Sequence, residues 1–98
     1  MAILPLTSAE ITTALTGLPG WSFEADALAC TFVFPDFREA FAFMTRVAFE
    51  AEDVGHHPDW SNSYNRVQIR LRTHTAGNQV TRKDVELAHR IHRLAGRR

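Results

Sequence analysis

The sequence YNRVQIRLRT, residues 64–73, decides the fold, because it is the clearest strand in the chain. Its apolar residues Val67, Ile69 and Leu71 alternate with arginine and glutamine, so one face should meet a core and the other should meet water. The residues just before it, 60–63, predict a short partner strand, so the two segments should form a hairpin.

A second hairpin is predicted upstream. Its strands span residues 21–24 and 28–34, and the chain turns near Ala25 and Asp26. The alternation in residues 28–34 is imperfect, which predicts a strand that is buried on much of both faces.

Three helix starts flank these hairpins. Thr7 with Glu10, and Thr81 with Asp84, have the spacing of capping boxes, and Asp36 is a further helix-start signal. The resulting order is helix, two strands, helix, two strands, helix. This order predicts a single α+β domain over residues 1–98, in which three helices pack on one face of a four-stranded antiparallel sheet.

The middle helix carries the longest apolar stripe, and it should end near Gly55 because Pro58 cannot continue a helix. Phe43 and Phe49 lie off the centre of this stripe, so the helix should bury more than one side. A sheet packed on one side of the helix and a partner subunit on the other would bury both of these sides. The members of the stripe are Phe37, Ala40, Phe41, Met44, Val47, Ala48 and Ala51.

Composition excludes several classes of function. The 98 residues hold 11 basic and 11 acidic side chains, which argues against a nucleic-acid partner, and the basic cluster Arg90, Arg93, Arg97 and Arg98 fits a solvated helix end. No apolar run is long enough for a membrane span, and the residues before the first helix lack the charged segment and the long apolar segment typical of a signal peptide. Cys30 is the only cysteine. We therefore expect a cytoplasmic protein, and a chain this small gains burial by forming homo-oligomers.

The five histidines fall into two groups. His89 and His92 lie three apart in the last helix, where partial exposure on its surface is the simplest role. His56, His57 and His74 lie where helices or strands end, and such positions often carry functional side chains. Three histidines could serve structural roles, bind zinc, or act as general acids and bases near neutral pH, and their spacing alone leaves all three interpretations open.

A longer pattern around these histidines resembles the signature of the pterin-4a-carbinolamine dehydratases. The resemblance implies the same α+β fold, a homodimer or homotetramer, and no metal or other cofactor. It also implies dehydration of a 4a-hydroxytetrahydropterin in the recycling of the cofactor of aromatic amino-acid hydroxylases. The residues that carry it are Glu52, His56, His57, Pro58, Trp60, Asn62, Tyr64, Asn65, Val67, Thr73, His74 and Asp84.

The resemblance also implies roles for individual residues. His57 and His74 would be the acid and base, and His56 would position the pterin or transfer a proton. Glu52, Trp60 and Asp84 would support the pocket. The residues lining the pterin would be Gly55, His56, His57, Pro58, Arg72, Thr73, His74 and Thr75.

Two departures from the family pattern bear on this site. Gly55 replaces an acid that some relatives carry, and residues 75–80 form a turn one residue longer than the commonest one, which could shift His74.

Two alternatives also stay open. One is a non-catalytic member of the fold, acting in Rubisco assembly or as a dimerisation cofactor of a transcription factor, and the other is a histidine-based metal hydrolase.

Overall fold

The computed structural model describes residues 2–96, so Arg97 and Arg98 of the basic tail lie outside the described residues. Within this range the predicted order of helices and strands is confirmed, and a short 3-10 turn, His74–Ala76, is added. The elements are α1 (Ser8–Leu15), β1 (Ser22–Glu24), β2 (Ala27–Val33), α2 (Phe37–Val54), β3 (Asp59–Ser63), β4 (Arg66–Leu71) and α3 (Arg82–Ala95).

The four strands form one antiparallel sheet in the order β1-β2-β4-β3. Leu28 pairs with Leu71, and Cys30 pairs with Ile69, so the inward side chains of the two central strands meet beneath the helices. Ala25 and Asp26 have φ values of 48° and 65°, as a tight hairpin turn of the right twist requires. The predicted turn is therefore confirmed.

The strand predicted over residues 64–73 is shorter in the structure. Tyr64 has a φ of 52° and belongs to the turn between β3 and β4, because Ser63 pairs with Arg66 across it. Beyond Leu71, Thr73 continues only as an isolated bridge to Gln79.

The prediction that residues 28–34 are buried on both faces is wrong for the end of β2. Ala27 and Leu28 are fully buried, whereas Thr31 is exposed and Val33 is 63% exposed. The helices cover the inner face of the sheet, so the outward side chains of Thr31 and Val33, toward the end of β2, meet solvent.

Local capping places the helices as predicted. The Thr7 hydroxyl accepts from the Glu10 N–H while the Glu10 carboxylate accepts from the Thr7 N–H, and the same reciprocal pair joins Thr81 and Asp84. The Asp36 carboxylate accepts from the N–H at the third position of α2.

The buried face of α2 differs from the predicted stripe. Phe43 is 1% exposed and Val47 is fully buried, so the core-facing side is centred on them. Phe37 and Phe41, predicted to be buried, are 47% and 55% exposed, and Ala48 is exposed as well. The helix is apolar over an arc wider than one packing surface, and the sheet and α3 cover only part of that arc.

No helix within residues 2–96 is both long and apolar enough to cross a membrane.

Candidate active site

The end of α2 places the first histidine. Gly55 adopts a left-handed conformation with φ 66° and ψ 33°, which glycine tolerates without steric cost. The N–H of Gly55 donates to the Glu52 carbonyl, and the N–H of His56 donates to the Ala51 carbonyl, the paired pattern of a Schellman cap. Gly55 therefore ends the helix and sets the direction in which the chain leaves it.

Proline orients the next residue. Pro58 restricts His57 to extended backbone conformations, and β3 begins directly afterwards at Asp59. The His56–His57 pair is thus held between a capped helix and a paired strand.

The third histidine follows the end of β4. The Thr73 N–H donates to the Gln79 carbonyl, and the Thr73 carbonyl accepts from Asn78, so the base of the turn is closed. His74 opens the 3-10 turn between these contacts, and Gly77 has a φ of 71°. The turn that the sequence predicts to be one residue longer than the commonest one thus holds a 3-10 turn and is closed by the Thr73–Gln79 bridge.

These segments meet around a cavity of about 290 Å³. The three histidines line it, together with every other residue that the family resemblance implies as a pterin contact. Two further residues, Asp59 and Lys83, complete the wall. The lining residues are Gly55, His56, His57, Pro58, Asp59, Arg72, Thr73, His74, Thr75 and Lys83.

A buried carboxylate fixes His56. Asp84 is fully buried, and its Oδ1 lies 2.5 Å from His56 Nε2. Its Oδ2 accepts from the Thr73 hydroxyl at 2.8 Å and from the Thr81 N–H at 2.8 Å. A carboxylate can only accept, so His56 Nε2 must donate, which leaves Nδ1 as the nitrogen available to a substrate.

The network extends one step further. Since the Thr73 hydroxyl gives its hydrogen to Asp84, it accepts from the Thr81 hydroxyl, 2.8 Å away. Thr81 also caps α3 by accepting from the Lys83 N–H at 3.2 Å. The cap of α3, the end of β4 and His56 are therefore joined through Asp84.

His57 and His74 are held more loosely. His57 Nε2 lies 2.9 Å from Glu52 Oε1, and these side chains are 64% and 81% exposed. An exposed pair of this kind contributes roughly 0–1 kcal/mol, so it orients the ring without locking it. The His74 ring is exposed and has no hydrogen-bond partner among residues 2–96, so both of its nitrogens are open to a substrate or to water.

The remaining candidates lie elsewhere. Trp60 packs against the core from β3 and does not line the cavity within residues 2–96. His89 and His92 lie outside the cavity on α3, as expected. In that same range no three His, Cys, Asp or Glu side chains are grouped as metal ligands, so the metal-hydrolase alternative gains no support from the geometry.

The sequence did not single out Asp59 and Lys83. Each is adjacent in sequence to a residue that was predicted to belong to the site: Asp59 follows Pro58, and Lys83 precedes Asp84. Asp59 Oδ2 lies 3.4 Å from Arg72 Nε, so this acid is paired across the cavity wall.

The chain is similar to known proteins over nearly its whole length. Residues 4–94 match the family described as pterin 4 alpha carbinolamine dehydratase. A relative from Opitutus terrae, provisionally named a pterin-4-alpha-carbinolamine dehydratase, is 54% identical over 90 residues, which cover 92% of this chain and 93% of that protein. A relative from Rhizorhabdus wittichii with the same provisional name is 52% identical and covers 97% of this chain and 99% of its own.

A solved structure is similar over nearly the same length. The crystal structure of a transcriptional coactivator/pterin dehydratase from Brucella melitensis superposes with a TM-score of 0.89 at 41% identity. The match covers 94% of this chain and 99% of that one. The chain belongs to the pterin 4 alpha carbinolamine dehydratase family.

Proposed function

We propose that this protein dehydrates a 4a-hydroxytetrahydropterin to the quinonoid dihydropterin. The C4a–O bond breaks as an acid protonates the leaving hydroxyl, which departs as water. A base removes the N5 proton, and the electron pair left behind forms the C4a–N5 double bond. The pterin is neither oxidised nor reduced overall, so two positioned proton carriers are sufficient for the chemistry.

The observation that carries this proposal is the set of three histidines on one cavity, two of which have Nε2 held by a carboxylate. Histidine has a reference pKa of roughly 6.5, so it can give and take protons near neutral pH. Positioned general acids and bases accelerate such steps by about 10² to 10⁴.

The different supports of the histidines suggest different roles. We assign proton transfer to His57 and His74, whose exposed rings can exchange protons with water between turnovers. We assign pterin positioning to His56, because the buried Asp84 holds its ring and its tautomer. Glu52 orients His57 from the end of α2.

The setting of the reaction follows from the same proposal. Regenerating a pterin cofactor for an aromatic amino-acid hydroxylase would place the protein in the cytoplasm. We further propose a homodimer or homotetramer. The supporting feature is the outer α2 surface, which we define as Phe37, Phe41, Ala48 and Phe49. The centroids of its Phe37 and Phe41 rings lie 5.7 Å apart with the rings tilted by 35°, and Phe49 is 71% exposed.

A stopped-flow assay tests the proposal. A hydroxylase generates the 4a-hydroxytetrahydropterin, and the absorbance change on dehydration is followed with and without this protein. We expect the wild type to exceed the spontaneous rate, and we expect His57→Ala and His74→Ala each to lose about 10²-fold. A folded wild-type protein that leaves the spontaneous rate unchanged would refute the enzyme proposal.

That negative result would favour the second candidate, a non-catalytic binding module. The same outer α2 surface supports it, as does the description of the Brucella protein as a transcriptional coactivator as well as a dehydratase. A binding module needs this surface and not the histidines. Substituting the histidines would then leave its partner binding intact.

A further inference from the structure

A second cavity adjoins the histidine cavity. It has a volume of about 470 Å³ and is lined by Ala2, Ile3, Thr75, Arg82 and Lys83. Thr75 and Lys83 belong to both cavities, so the two spaces share a wall. The proposed reaction has no use for the second space, which is the larger of the two.

The second cavity is cationic. Arg82 and Lys83 are exposed, neither forms an ion pair with a carboxylate of residues 2–96, and the cavity lining contains no acid. The acid that lines the histidine cavity, Asp59, and the two acids that contact its histidines, Glu52 and Asp84, have partners of their own. Asp59 pairs with Arg72, Glu52 pairs with His57, and the buried Asp84 accepts three hydrogen bonds. The two cations on α3 are thus left without a compensating charge.

The structure of a pterin connects the two cavities. N5 is bonded to both C4a and C6, so a substituent on C6 leaves the ring one atom away from the bond that becomes double. If the histidines contact C4a and N5, the C6 side chain must leave the histidine cavity beside them. The shared wall offers the adjoining cavity as a place for that side chain.

We infer that the substrate is a pterin whose C6 side chain carries an anion, and that Arg82 and Lys83 bind this anion. The inference rests on the proposed dehydration. Either a phosphate ester or the carboxylate of an amino-acid conjugate would supply the charge. Exposed cations of this kind should each improve affinity by roughly fivefold at low ionic strength, and the gain should shrink as salt screens the charges.

Fluorescence titration with three stable analogues tests the inference. 7,8-Dihydrobiopterin has a neutral C6 side chain, 7,8-dihydroneopterin 3′-phosphate carries a phosphate, and dihydrofolate carries carboxylates. The wild type is compared with the double variant Arg82→Gln/Lys83→Gln. The matched control is Arg66→Gln/Arg93→Gln, which removes the same charge from exposed arginines away from both cavities.

We expect the wild type and the control to bind one or both anionic analogues about tenfold or more tightly than the neutral one, and we expect the double variant to lose this preference. Tight binding of the phosphate alone identifies an ester, and tight binding of dihydrofolate alone identifies a carboxylate conjugate. Equal affinity of the wild type for all three analogues would overturn the inference, as would a preference that survives in the double variant.

Turnover by the wild type separates this inference from the proposed function. A wild type that dehydrates a substrate with a neutral 6-methyl group, yet shows no preference for an anionic analogue, is a dehydratase without the anion site. A wild type that dehydrates neither neutral nor anionic substrates refutes the proposed function itself.

Discussion

Asp84→Asn changes the protonation pattern of the site without changing its shape. The asparagine oxygen can replace Oδ2 and accept from the Thr73 hydroxyl and the Thr81 N–H. Its NH₂ group then faces His56 Nε2, which must become an acceptor. The His56 proton therefore moves to Nδ1, the nitrogen that the wild type leaves free.

The size of the effect follows from the three hydrogen bonds. Bonds to a charged group contribute about 1.5–3 kcal/mol and neutral bonds about 0.5–1.5, so three bonds lose roughly 3 kcal/mol in total. Removing a buried charge returns part of this loss, and we expect a net destabilisation of about 1–2 kcal/mol. For a domain of this size that lowers the melting temperature by roughly 5–15 °C. We expect the dehydration rate to fall by about 10²-fold, because the pterin meets the wrong His56 tautomer.

The assay combines calorimetry, stopped-flow kinetics and nitrogen NMR of the His56 ring. Glu52→Gln is the matched control, because it makes the same chemical change in a pair whose side chains are 64% and 81% exposed. That variant should lose less than about 1 kcal/mol of stability. If Asp84→Asn keeps the proton on Nε2 and retains wild-type turnover, Asp84 does not position His56 for the reaction.

Three other predictions concern the rest of the molecule. Burial raises the pKa of Cys30 to about 11, so at pH 8 its thiolate fraction is roughly 100-fold below that of a thiol with the ordinary pKa of 9.0. Alkylation of Cys30 by iodoacetamide should therefore be slow in the same proportion, and labelling as fast as that of free cysteine would contradict this. Phe41→Arg should shift the protein to a smaller oligomer in light scattering, and an unchanged mass would remove Phe41 from the interface. The carboxylates of Glu50, chiefly, and Asp53 form ion pairs with Arg90 and raise its pKa. Because salt screens such pairs, Arg90→Met should lower the melting temperature in low salt and much less in 1 M NaCl, and an equal loss in both would show that Arg90 acts through packing.

Much of the fold could be predicted because its signals are local. The capping pairs Thr7–Glu10 and Thr81–Asp84 lie three residues apart, and the alternation of β4 is readable from the side chains alone. The exposed face of α2 could not be predicted in the same way. Periodicity shows that Phe37 and Phe41 lie on the apolar side of the helix. Which part of that side becomes buried depends on where the sheet and α3 pack against it, and this is decided only in the tertiary structure.

The candidate site shows the same division. His56, His57 and Pro58 are contiguous, so their shared position was evident from the sequence. The contact between His56 and Asp84 joins residues 28 apart, and only the family resemblance gave Asp84 a role at the site beyond capping α3. Lys83 was missed because a single exposed lysine forms no pattern until the tertiary structure brings it to a cavity wall.

The central claim is that histidines on one cavity transfer the protons of the dehydration. Its most direct test is the stopped-flow rate of His57→Ala/His74→Ala beside that of His89→Ala/His92→Ala, a double variant with equal histidine loss outside the cavity. We predict that the first variant falls to the spontaneous rate while the second retains wild-type turnover. A first variant that still turns over like the wild type would contradict the account.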